Sequence, residues 1–143
     1  MTTKQYLSQI VRFDMMIRNK FEEIIKYRVL VESITPKNDD ERVQTSLNGD
    51  KIGGFVSKIV DLESEIERLH VTRNKIIKQI ECLPEPFMYQ IIYLVFVEDY
   101  DIMEMGRKLN YSKSKTYRLY NESIEKFEEL FGKTYLNKSK KSA

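Results

Sequence analysis

At 143 residues the chain has room for one domain or two small ones, and 41% hydrophobic with 32% charged residues favours a folded chain over a disordered one. A formal net charge of +2 excludes a polycation, and the single cysteine, Cys82, excludes an internal disulfide and any multi-cysteine zinc site. Only five Gly and three Pro, amid abundant Glu, Lys, Leu and Ile, point to an all-α protein.

Residues 3 to about 33 read as one long helix, with Ile10, Ile17, Ile24 and Val31 seven apart, Phe13 and Tyr27 between them, and Phe21 widening the stripe. Residues 55 to about 83 read as a second. Phe55, Leu62, Leu69, Ile76 and Leu83 again fall seven apart, Ile59, Ile66 and Ile80 fill the other seam, and Arg73 interrupts it. Two helices of similar length most simply form a long antiparallel hairpin, coiled-coil-like, over residues 1–83. Stripes this broad call for further cover, from a second copy in a homodimer or from the C-terminal helices. The linker "ITPKNDDERVQTSLNGDKIGG" has loop composition, so a long loop is expected over residues 35–54.

"CLPEPF" carries two prolines, ends the second helix and marks a boundary at 83/84. "FMYQIIYLVFVEDY" then reads as one buried helix to about Asp99. Asp101 can cap a short helix, "IMEMGRKL". Asn110, tolerant of the left-handed conformation, makes a turn with Tyr111, and Ser112 caps a last helix running to Phe131 and stopping before Gly132. A basic, frayed tail is expected over residues 133–143. Cys82 reads as a small, partly buried hydrophobe.

Charge is sorted along this C-terminal part. Gly106 to Asn121 contains Arg107, Lys108, Lys113, Lys115 and Arg118 and no acid, whereas Glu122, Glu125, Glu128 and Glu129 follow later in the helix. Helical spacing turns Thr116, Leu119, Tyr120, Ser123, Ile124 and Phe127 inward, toward Ile102, Met105 and Leu109. It leaves Lys113, Ser114, Lys115, Tyr117, Arg118 and Asn121 outward. Short helix, four-residue turn and longer basic helix form a helix-turn-helix pattern over 84–132, in which the start of the second helix enters the DNA major groove. Its first turn also offers free N–H groups to a phosphate.

The stretch from "LPEPF" through "IMEMGRKLNYS" to "IEKF" resembles region 4 of bacterial sigma factors, and "YSKSKTYRLYNESIEKF" is similar to phage and prophage transcriptional regulators of the ArpU and RinA type. "VQTSLNGDK" and "KIVDLESEI" look like an uncharacterised phage family with the same sigma-like C-terminus. The resemblance implies a regulator of phage or prophage late genes that binds double-stranded DNA in a bacterial host. It sets Ser112, Lys113, Ser114, Lys115, Tyr117 and Arg118 against the DNA. Arg118 is the favoured base contact, Lys113 and Lys115 meet phosphates, and Arg107 and Lys108 touch flanking backbone. Thr116 stands where the family pattern has an aliphatic residue, so a looser core is expected there.

Two other readings stay open: a small-terminase-like packaging protein, and a sigma-like protein that binds RNA polymerase rather than DNA. The residues expect no enzyme, no cofactor and no metal site. The lone His70 has no second His or Cys in range, and no nucleophile stands in a recognisable motif. No apolar run approaches the roughly 18 residues of a membrane span. Arg12 and Asp14 break any N-terminal signal core, so a cytoplasmic protein without a membrane partner is expected.

Overall fold

A computed structural model describes residues 1–34 and 45–136. They are helical, with no strand among the described residues: α1 (Thr3–Ile34), α2 (Thr45–Glu81), α3 (Pro86–Ile92), a π-helical turn (Tyr93–Val97), α4 (Ile102–Lys108), α5 (Lys113–Phe131) and a closing 3-10 turn (Gly132–Thr134). No helix among the described residues is long and apolar enough to cross a membrane.

The start of α1 is fixed by a reciprocal cap. The Thr2 amide donates to Gln5 Oε1 at 2.9 Å and the Gln5 amide donates to Thr2 Oγ1 at 3.1 Å, satisfying two of the orphan donors at a helix N-terminus. Pro84 stops α2, and Pro86 opens α3 at a position where its missing N–H leaves no bond unmade. The helix beyond Pro86 departs from the single helix expected. After Ile92 the ladder widens to a π turn, closed by the Glu98 amide donating to Tyr93 O at 3.0 Å, and Asp99 turns the chain with φ 62°. The wider turn resets the side-chain phase, so that Leu94 and Phe96 are both buried alongside Met88, Ile91 and Ile92.

The chain groups into two compact units, one of residues 1–13 with 72–143 and one of residues 14–71. The sequence places a boundary at 83/84. The units divide elsewhere because Leu7, Ile10, Ile76 and Ile80 of the two long helices bury themselves in one core with Ile91, Met105 and Phe127. Within this first unit the start of α1 meets the end of the described chain. Tyr6 stacks on Tyr135 at 4.2 Å between centroids, Thr3 and Tyr135 hydroxyls bond at 2.7 Å, and Tyr6 donates to Gln79 Oε1 at 2.6 Å. Lys133 to Leu136 is therefore ordered rather than frayed, with Tyr135 2% exposed. Residues 137–143 of the expected tail lie outside the described residues.

The second unit has a smaller core of Ile17, Ile24, Leu62 and Ile66, with Tyr27, Ile59 and Leu69 packed on it. Lys20 pairs with Glu65 at 2.6 Å and Arg28 with Glu63 at 3.4 Å, and the Tyr27 and Phe55 rings lie 5.7 Å apart. Three expectations fail along these two long helices. Phe21 does not widen the buried stripe but is 49% exposed, because at one residue per 100° it lies off the Ile17–Ile24 line. The linker is helical from Thr45 onward, so only residues 35–44 lie outside the described residues. Cys82, at the end of α2, is exposed.

Candidate nucleic-acid interface

The surface that carries the predicted residues is built on α4, the four residues after it, and α5. Asp101 starts α4: its carboxylate accepts from the Glu104 amide at 2.8 Å. That bond holds the Asp101 carboxyl below its usual range, while the hydrogen bond and negative charge of Asp101 push the Glu104 carboxyl up. The helix ends in a Schellman arrangement. Asn110 takes φ 60°, its amide donates to Arg107 O at 3.2 Å, and the Tyr111 amide donates to Gly106 O at 2.9 Å. Asn110 suits this left-handed position because its short polar side chain tolerates it.

Ser112 then caps α5, its hydroxyl accepting from the Lys115 amide at 3.3 Å. Thr116, one turn on, is 1% exposed and donates its hydroxyl to Ser112 O at 2.8 Å. A Cβ built on Gly106 would come within 2.2 Å of Thr116 Oγ1. The two helices are therefore in direct contact at Thr116, not loosely packed there. Behind it, Tyr120, Ser123 and Phe127 are buried and Leu119 and Ile124 are half-buried, on the inward face the spacing predicts.

All nine predicted contact residues lie on the surface: Arg107, Lys108, Ser112, Lys113, Ser114, Lys115, Tyr117, Arg118 and Asn121 are exposed. Two of the bases are held by aromatic rings. Lys115 Nζ sits 4.7 Å from the centroid of Tyr111. Lys108 Nζ lies 5.2 Å from the centroid of Tyr100 and donates to its hydroxyl oxygen at 3.1 Å. Such contacts attract a cation without neutralising it. Among the described residues no ion pair engages Arg107, Lys113 or Arg118. Carboxylates begin only at Glu122, and farther along Lys126 pairs with Glu129 at 3.5 Å. The first half of α5 thus presents Lys113, Lys115 and Arg118 with no acid before Glu122 and, among the described residues, in no ion pair.

One basic neighbour of this surface comes from the far end of the chain. Lys4 Nζ lies 5.5 Å from the centroid of Tyr120, which sets the first turn of α1 beside α5. Residues 1–13 carry Lys4 and Arg12 and no acid, and both bases are exposed. The charge pattern was legible; its proximity to α5 was not, because more than a hundred residues separate them. Comparison of the chain with family models, curated proteins and solved structures gave no match.

Proposed function

We propose that this protein binds double-stranded DNA through α5 and regulates transcription, with phage or prophage genes as its targets. One observation carries the reading: six outward residues in the first half of α5 are exposed, with no acid among them, on a helix whose start is fixed by the Ser112 cap. In this reading α4 and α5 form a helix-turn-helix of the sigma region 4 kind, and α1 with α2 forms an antiparallel hairpin. The opposed numbering of the pairs Lys20–Glu65 and Tyr27–Phe55 supports the hairpin. Helix α5 enters the major groove with Arg118 reaching a base edge and Lys113 and Lys115 on phosphates. Arg107 and Lys108 grip the backbone beside it, and Ser112, Ser114, Tyr117 and Asn121 supply neutral hydrogen-bonding groups.

The experiment is occupancy mapping in a bacterial host, followed by gel shifts on the recovered sites. Discrete peaks at promoters, lost on replacing Arg118 and Lys115 together with alanine, are expected. Peaks at a packaging site, or polymerase binding without DNA binding, would turn the reading toward the rival classes.

A further inference from the structure

The first unit holds a cavity of about 240 Å³ where the start of α1, the last turns of α2 and the closing 3-10 turn meet. Every residue that lines it belongs to this unit, and none comes from α5. Its apolar walls are Tyr6, Phe13, Ile76 and Tyr135. Tyr6 and Phe13 stand seven apart on α1 and so share a face. Both pack on the main core yet stay half-buried, which leaves ring surface turned to the cavity.

The polar groups of the lining decide what the cavity would hold. Its hydroxyls are used within the fold: Tyr6 donates to Gln79 Oε1 at 2.6 Å, Tyr135 bonds with Thr3 at 2.7 Å, and Thr134 donates to Phe131 O at 2.8 Å. Two lining side chains, Gln9 and Lys75, make no hydrogen bond or ion pair among the described residues. No Asp or Glu lines the cavity. The donors left over are therefore one ammonium and one amide, beside walls of ring and aliphatic carbon. A single carboxylate on an apolar body answers both donors. A neutral molecule leaves the cation unmatched, a multiply charged anion finds only one positive charge, and a cation is repelled. The volume falls below the roughly 300–1,000 Å³ of sites for drug-sized ligands, which leaves room for one aromatic ring with a short acid arm. Rings among the walls favour a flat aromatic body, since aromatic pairs gain beyond their buried area. We propose that this cavity binds a small aromatic carboxylate, its ring among Tyr6, Phe13 and Tyr135 and its carboxylate toward Lys75 and the Gln9 amide. The inference stands whether or not α5 binds DNA.

The test is a titration of the full-length chain with cinnamate, followed by backbone amide shifts in nuclear magnetic resonance. Saturable binding is expected with a dissociation constant of about 1 mM or tighter, within reach of a ligand of this size. The largest shifts should gather at Tyr6, Phe13 and Tyr135. Cinnamamide, the same shape without the charge, should bind about fivefold more weakly, the worth of one half-exposed ion pair. Lys75→Met keeps the aliphatic stem and removes the charge. It should bring cinnamate down to the affinity of cinnamamide and leave cinnamamide unchanged. Lys75 is exposed, so the variant should fold; if circular dichroism shows lost helicity, the two probes on the unaltered chain decide alone. No binding up to about 10 mM, equal affinity for the two probes, a preference that survives Lys75→Met in a folded variant, or shifts gathered away from the cavity would overturn the proposal.

Discussion

Gly106 and Thr116 bring α4 and α5 into direct contact: a Cβ at position 106 would lie 2.2 Å from Thr116 Oγ1 and 2.7 Å from its Cγ2. The threonine cannot yield easily, because its side chain is buried and its hydroxyl is bonded to Ser112 O at 2.8 Å. Replacing glycine by alanine inside a helix ordinarily gains about 1 kcal/mol. Here Gly106→Ala should instead lose roughly 1–3 kcal/mol, the usual range for overpacking. Urea unfolding measures it. Adding Thr116→Ala removes the two closest atoms and should recover most of the loss; no recovery would mean that the contact is not the cause.

The turn between these helices gives a second prediction. Asn110 sits at φ 60°, where glycine is at ease and a β-branched residue is not. Asn110→Gly should leave stability within a few tenths of a kcal/mol, while Asn110→Val should cost about 1–2 kcal/mol. The same unfolding midpoints decide between them. Equal midpoints for the two variants would show that the left-handed turn does not constrain this residue.

These features differ in how far the sequence foretold them. The Ser112 cap, the Asn110 turn and the inward face of α5 follow from local chemistry: a hydroxyl before a periodic run, an asparagine at a helix end, a 3–4 spacing. The fit at Gly106 does not, because it depends on two helices meeting, and Thr116 alone suggests a looser core. The helix from Thr45 was hidden by its Asn, Asp and Gly content. A Cβ at Gly49, Gly53 or Gly54 would touch nothing within 4 Å, so space does not demand these glycines, and extending a long helix is far easier than starting one. Nor does an unbroken apolar run such as Tyr93–Val97 announce a π turn. Nothing in the sequence around Tyr135 marks it for burial; Tyr6 and Thr3, far away in the chain, explain it.

Burial of tyrosines sets an alkaline limit. Burial pushes the hydroxyls of Tyr6, Tyr120 and Tyr135 above the ordinary tyrosine value of 10.0. The unfolded chain therefore ionises these groups first. Their contribution is complete below the unfolded value and is lost as pH rises through the folded one. Stability should be level up to about pH 10 and fall above it. Tyr120, whose shift comes from burial alone, isolates the effect: Tyr120→Phe should flatten part of the fall when unfolding is followed against tyrosinate absorbance. An unchanged alkaline slope would refute this assignment.

The proposed DNA contact predicts a ranking of bases. Arg118, placed to reach a base edge, should on replacement by alanine lose about 1–3 kcal/mol of binding and relax discrimination at one position. Lys113→Ala and Lys115→Ala should weaken all sequences alike and each lower the steepness of the salt dependence by about one. Lys4 lies beside Tyr120 on another helix and is predicted to act like the lysines, as a phosphate contact outside the groove. Lys126, paired with Glu129 beyond the basic half of α5, serves as the control and should change neither affinity nor salt slope. Binding isotherms on one recovered site and one scrambled duplex, at several salt concentrations, test the ranking. If Arg118→Ala lowered both duplexes equally, Arg118 would hold a phosphate and the base contact would have to lie elsewhere, with Asn121 or Tyr117 next in line.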